Sequence, residues 1–347
     1  FNPSNIITIM TSPLSGTMAP GASARTEVQG IGVQSSPIGW FTRSNFGGRF
    51  AALLKYAQWD GIVIEGKANT PVWIDIRDSD VKIRDAGGLW GLDTWATQKK
   101  IWGIIAGNNT YGDWLNLDVS NDVVRSTQRP AVLTIGPAGE HVSRLACLIH
   151  DAANGSGQGG FGAVWGSKNL KAISVIGTGG FTIYDPRTLI NARLSQMDNY
   201  GFDLDDLKTI CPSEFQGPPG QAVIWEMITP KKSKGGKRPQ SCVGCHSGCR
   251  RRYESGLGNE ASCSATAFYM AANTPEIQYK ATDLLNKYGK NVLESHYALE
   301  YILKHNNEGI LGPGKEIDCP HRFDNYRSLE IITQYVKMIA NRDDGSG

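Results

Sequence analysis

A formal charge of +2 on 347 residues, from 35 basic and 33 acidic side chains, gives no electrostatic reason for a nucleic-acid or membrane-surface partner. The 40% hydrophobic and 20% charged composition is that of globular protein, with length for two or three domains, and no apolar run nears the ~20 residues that span a bilayer. Seven cysteines, three of them clustered, fit a reducing compartment and a metal site better than a disulfide framework, and without a legible signal peptide the cytoplasm is the default location. Glycine, 41 of 347, is enriched, which predicts tight turns or backbone packed closely on a ligand. The chain opens at Phe1 and closes on Asp-Asp-Gly-Ser-Gly, and is expected to be a piece of something longer.

Residues 1–178 read as β-rich. Short β-branched runs at 5–10, 61–64, 72–76, 81–84, 131–135 and 172–176 are separated by Gly, Pro, Asp and Ser turn signals. The 72–76 run alternates, so one of its faces is expected to be wet. A short helix fits 49–57. Three glycine-rich elements interrupt the strands: GTMAPGASART, SNFGGRF and NGSGQGGFGAVWGSKNLKAI. The last holds G-x-G-x-x-G at Gly157, Gly159 and Gly162, but HDAANGS before it does not read as a strand and no acidic residue follows at dinucleotide-site distance. Two readings stay open: a nest of backbone N–H groups for a phosphate or other anionic cofactor group, and glycines for tight turns.

From 179 the periodicity changes. Residues 185–200 have helical character behind Pro186. Residues 201–240 read as irregular, and the basic run Lys231–Arg238 as a solvated loop or a docking patch for an acidic electron carrier. Cys242, Cys245 and Cys249 then stand in C-x2-C-x3-C spacing, with Gly244 and Gly248 allowing the backbone to turn. Three such thiolates suit three quarters of a [4Fe–4S] site; zinc and unrelated thiols are the alternatives, and His246 is poorly placed as a further ligand. Thr274-Pro275-Glu276 opens a helix that Gly289 stops, and helical spacing recurs over 295–306 and 328–341. The expected class is α+β, a β-rich domain at 1–178 followed by a mainly helical domain at 179–347 that carries the cysteines.

Ser12–Thr17 (SPLSGT), SNFGG, DGIVIEGKA, IGPAGE, GGFGAVWGSKNLKAI and the cysteine run occur together and in the order found in the tungsten-containing aldehyde:ferredoxin oxidoreductase family, which the chain resembles over nearly its whole length. The resemblance implies an N-terminal β domain forming the base for a tungsten bis-pyranopterin, mainly helical domains after it, and a [4Fe–4S] cluster near the pterin. It implies that Cys242, Cys245 and Cys249 are the first three cluster ligands, the fourth coming from a C-terminal domain beyond this chain. Arg25 matches the arginine between cluster and pterin. Asn45, in the SNFGG element with Gly47 and Gly48, and Asn154–Gly155 match the positions that bind the Mg2+ bridging the pterin phosphates. The second of these often carries arginine in the family. The D-x-x-G-x-D pterin motif appears as NKYGKN, so Asn286 and Asn291 replace both acids.

Just after the cysteines, where aldehyde-oxidising members place a glutamate, stand Glu260 and Cys263. Glu260 is the candidate proton acceptor. A thiolate at Cys263 resembles the class II benzoyl-CoA reductase catalytic subunits, in which a cysteine ligates tungsten; the alternative is a buried small residue, as for Cys147, Cys211 and Cys319. The leading expectation is oxidation of an aldehyde to a carboxylic acid, with electrons passing through the cluster to ferredoxin or an iron–sulfur partner subunit. The rivals are reduction of an aromatic thioester and a non-catalytic electron-transfer subunit. An oligomer is expected.

Overall fold

The computed structural model describes residues 1–19, 22–35, 37, 39–107, 114–119, 122–151, 154–199, 236–245, 250–253 and 274–342. Two sheets dominate the first half. β1 (Ile7–Met10), β2 (Thr26–Ile31), β3 (Phe41–Phe46) and β4 (Gly61–Ile64) form an antiparallel sheet in the order β3-β2-β1-β4. β5 (Val72–Arg77), β6 (Asp80–Asp85), β9 (Ala131–Thr134), β10 (Leu148–His150), β11 (Asn154–Ser156) and β12 (Leu170–Ile176) form a mixed sheet in the order β11-β10-β9-β12-β5-β6, in which β12 and β5 run parallel. β7 (Leu115–Val119) and β8 (Asp122–Ser126) make a separate hairpin.

Alternation in β1 turns Ile7 and Ile9 inward, and these meet Val28, Phe46, Leu133 and Ile173 in one core with the short helices α1 (Phe50–Tyr56) and α4 (Phe161–Ser167). Helix α2 (Thr94–Ala106), capped by Asp93, covers the other face of the six-stranded sheet, where Ile101 and Ile105 pack on Trp73, Val132 and Ala172. The expectation of a wet face on β5 is therefore corrected. Trp73 and Asp75 are as buried as Ile76, because α2 covers one face and the main core the other, and Asp75 is paired with Arg77 and Arg84.

Two of the motifs are packing motifs toward each other. Ile135–Glu140 contains helix α3 (Pro137–Glu140), and Gly166 of α4 lies so close to it that a Cβ would stand 1.8 Å from the Gly139 carbonyl oxygen. Glu140 is ion-paired with Lys171 in a region almost closed to solvent, and accepts from Gly91 N at 2.9 Å. Lys168 donates to the Pro3 and Gly66 carbonyls at 2.8 and 2.9 Å, tying the same motif to the DGIVIEGKA strand.

The second half is helical among its described residues, apart from β13 (Gly236–Gln240) paired with β14 (Arg250–Tyr253) and the two-residue β15 (Leu311–Gly312) and β16 (Ile317–Asp318). Residues 236–240 are thus strand, where irregular chain was expected; β14, on the far side of the cysteines, supplies the pairing partner. Helix α5 (Pro186–Asn199) begins where Asp185 accepts from Thr188 N. Helices α6 (Pro275–Tyr288), α7 (Val292–Asn307) and α8 (Leu329–Asn341) are capped by Thr274, Asn291 and Ser328. They share a core of Ala281, Leu285, Leu299, Ile332 and Val336. Cys319 is buried in this core and Cys147 in the β domain. Among the described residues no helix is long and apolar enough to cross a membrane.

Candidate functional site

The site is built where β3 ends. Asn45 lies on β3, and Gly47 and Gly48 turn the chain into α1, Gly48 at φ +96°. That left-handed conformation favours glycine, and space demands it as well. A Cβ on Gly48 would stand 2.5 Å from His150 Cδ2, and one on Gly47 would stand 2.5 Å from Cys242 Sγ. The thiol loop therefore sits on the glycine turn. Val243 N donates to the Gly48 carbonyl at 3.0 Å, and Cys245 N to the Cys242 carbonyl at 3.0 Å, closing a tight turn through Gly244 at φ +70°. Cys242 and Cys245 are both partly exposed.

From the opposite side comes β11. Asn154 is buried, its Oδ1 lies 3.9 Å from Cys242 Sγ, and its Nδ2 is a buried donor with no partner among the described residues. Gly155 beside it is exposed. Arg25, just before β2, donates from Nη1 to Asn45 Oδ1 at 2.9 Å, and both side chains are exposed. Arg25, Asn45, Gly47, Gly48, Asn154, Cys242 and Cys245 are thus linked by contacts around one turn.

Asn286 and Asn291 flank the α6–α7 junction. Asn286 is buried and its carbonyl accepts from Thr94 Oγ1 at 2.8 Å. Asn291 caps α7 by accepting from Leu293 N and Glu294 N, and its Nδ2 donates to the Gly157 carbonyl at 2.7 Å. That bond ties the helical unit to the strand end that carries Asn154. The chain before the G-x-G-x-x-G run is in fact strand β11, against expectation, because its three residues pair with β10 at a sheet edge. The motif's amides are used internally: Gly159 N donates to Gln34 Oε1 at 2.7 Å and Gly162 N to the Ala146 carbonyl at 3.2 Å. These glycines serve tight turns and close packing. Cys249, Glu260, Cys263, His246 and Cys211 lie outside the described residues, and among the described residues no three His, Cys, Asp or Glu side chains form a metal-binding group.

Four contributors escaped sequence reasoning. His150, fully buried, lies with Nδ1 2.9 Å from the Val132 carbonyl and with Nε2 3.2 Å from Arg49 N and 3.1 Å from Asp151 Oδ2. Asp151 accepts from Arg49 Nε at 3.0 Å. Burial opposes ionisation of Asp151, but the neighbouring His150 and Arg49 outweigh it and hold the carboxyl far below the usual range. Arg193 on α5 donates to the Gly244 carbonyl, fixing the thiol loop from behind. None of the four sits in a recognisable spacing; only the position of Arg49 directly after the double glycine could have drawn attention.

A glycine turn, an unsatisfied buried amide and a thiol loop are gathered at the edge of a two-sheet domain, donor types that suit an anionic group and a thiolate-bound metal. Residues 1–177 match the family model for the aldehyde ferredoxin oxidoreductase N-terminal domain, about half of the chain, and the chain belongs to that family of enzymes. It is 39% identical over 179 residues to the tungsten-containing aldehyde ferredoxin oxidoreductase of Pyrococcus furiosus, covering 51% of this chain and 26% of that protein. It is 31% identical over 182 residues to the aliphatic sulfonate oxidoreductase WOR-like subunit of the same organism, again 26% of its length. The active site complex BamBC of benzoyl coenzyme A reductase, solved with 1,5-dienoyl-CoA, has the same fold, with a TM-score of 0.76 at 23% identity over 98% of this chain and 53% of that one. The alignments therefore span about a quarter of the curated relatives and the fold match about half of its solved counterpart.

Proposed function

We propose that this chain is the N-terminal part of a tungsten–pterin oxidoreductase that oxidises an aldehyde to a carboxylic acid. Its electrons leave through a [4Fe–4S] cluster to ferredoxin or an iron–sulfur partner subunit. The observation that carries the reading is the seating of the Cys242–Cys245 turn on Gly47, Gly48 and Asn154. Cys242, Cys245 and Cys249 would hold the cluster. Arg25, Asn45, Asn154, Gly155, Asn286 and Asn291 would line the pterin and the Mg2+ between its phosphates. Tungsten held by two pyranopterins supplies, when bound, polarisation of the carbonyl and acceptance of two electrons.

The chain's own residues act by binding and orientation. The Arg25 fork, steadied by Asn45, would offer planar donors to the pterin or its phosphate. The bare glycines let the Cys242 turn pack directly on the backbone, with the buried Asn154 amide beside the sulfur. Asn286 and Asn291 carry no charge, and the Asn291 side chain is engaged in the α7 cap and with the Gly157 carbonyl, so these positions would border the pterin without a charged partner for it. Glu260 would take the proton released as the aldehyde is hydrated and oxidised. Cys263 favours a second reading, reduction of an aromatic thioester with that thiolate on the metal.

Replacement of Cys242 by alanine tests the cluster. Iron and sulfide content are expected to be lost while the β domain keeps its cooperative unfolding. Iron and sulfide unchanged from the parent protein would refute the cluster. Turnover of aromatic thioesters and not aldehydes would move the reaction to the second reading.

A further inference from the structure

Asn154 presents two contradictions that one movement resolves. Its Oδ1 faces Cys242 Sγ at 3.9 Å, an arrangement that works only while the sulfur carries a proton to donate. On a metal, Cys242 is a thiolate, which has no proton and is purely an acceptor. An amide oxygen and a thiolate would then face each other in a part-buried setting, where opposed lone pairs are unfavourable. At the same time Asn154 Nδ2 is buried with no partner among the described residues. The two ends of an amide have nearly the same shape, so a half-turn about the terminal bond exchanges them without disturbing packing. It brings the stranded N–H2 donor to the sulfur and carries the oxygen toward the Gly48 turn.

The surroundings hold the amide at this distance. Gly47 leaves the space that the sulfur fills: a Cβ there would stand 2.5 Å from Cys242 Sγ and 3.3 Å from Asn154 Oδ1. Asn154 is 5% exposed, so water competes poorly for the sulfur. Pairing of Asn154 with His150 across β11 and β10 fixes the backbone beneath it.

We propose that, in the cluster-bearing protein, the Asn154 side-chain amide donates an N–H···S hydrogen bond to the Cys242 thiolate and thereby raises the reduction potential of the cluster. The inference rests on the cluster reading given above. A donor on a ligating sulfur withdraws negative charge from the cluster and favours its reduced form, as hydrogen bonds to cluster sulfurs do generally. Asn154 is thus a positioning and tuning residue for electron transfer.

The test is a redox titration of the full-length holoenzyme, purified anaerobically and followed by the paramagnetic signal of the reduced cluster. Asn154→Leu removes the donor without adding charge, and Asn154→Asp removes it while adding a negative charge. Both variants are expected to keep the parent's iron and sulfide content and to titrate at more negative potential, the aspartate further than the leucine. An Asn154→Leu protein with full iron content and the parent's potential overturns the proposal, as does a shift confined to Asn154→Asp, which would reflect charge alone. A second readout needs no variant. Asparagine labelled with heavy nitrogen only in its side-chain amide should change the nitrogen hyperfine couplings of the parent's reduced cluster, and unchanged couplings overturn the hydrogen bond even where a variant fails to fold. A parent protein without iron overturns the cluster itself and this proposal with it, a failure distinct from an iron-loaded parent that shows no coupling.

Discussion

Gly47 is the residue at which the thiol loop and the β domain compete for the same space. A methyl group there would overlap Cys242 Sγ at 2.5 Å, and the sulfur is not the end of a long flexible chain that could swing aside. Gly47→Ala is therefore expected to leave a folded β domain but lower iron content, measured on the purified protein beside the parent. Asp151 supports the same turn from below. Its carboxyl is held far below the usual range in the folded state, so its contribution is present above the ordinary carboxylate pKa and is lost as the pH falls through the folded value. Asp151→Asn is expected to lower stability by about 1–3 kcal/mol near neutral pH, an allowance for partial exposure included. The gap to the parent should shrink once the medium is acid enough to protonate Asp151 in the parent too, a comparison open to denaturant unfolding at several pH values. Arg25 and the paired cysteines could be singled out in the sequence because the resemblance and the cysteine spacing point to them. His150, Asp151 and Arg49 were not, since their roles depend on a sheet-edge hairpin whose partners are about a hundred residues from the glycine turn.

Helix α3 and strand β12 meet through the Glu140–Lys171 pair, whose side chains are 2% and 0% exposed. Removing one partner strands the other charge, so Glu140→Ala is expected to lose about 3–5 kcal/mol of unfolding free energy. The α6–α7 junction carries the opposite kind of group. Lys290 is 1% exposed, and its ammonium has no hydrogen-bond partner among the described residues and lies 4.8 Å from the centre of the Tyr335 ring. Burial pushes its pKa down to about 7, with the Cys147 thiol, itself pushed up to about 12, opposing the shift. A lysine with a lowered folded pKa burdens the fold fully below that value and progressively less as the pH rises toward the unfolded one. Lys290→Met is therefore expected to stabilise the protein by roughly 3–5 kcal/mol at neutral and lower pH, with the gain fading toward pH ~10. A gain independent of pH in thermal unfolding would contradict this. Elements with strong local signals were readable: α6 between Thr274 and Gly289, α8 behind Ser328, and the β-branched runs of β4, β9 and β12. β2, β3 and α2 were not, because TEVQGI and FTRSNF owe their strand form to cross-strand pairing, and the mixed apolar pattern of α2 is sorted only by the sheet it covers.

Over the whole chain, the motifs that carry family membership divide by purpose. GPAGE and GSKNLKAI are mutual packing surfaces, whereas SNFGG, Asn154, Cys242 and Cys245 gather around one turn. Motif order made the family legible in sequence, and the match over residues 1–177 bears that out. The cofactor account rests on the second group alone and is tested most directly by metal and pterin analysis of the full-length protein purified without oxygen. About one tungsten and about four irons per chain, with pterin released on denaturation, is the expected result. Iron without tungsten or pterin would leave only an electron-transfer subunit, and zinc without iron would contradict the account outright.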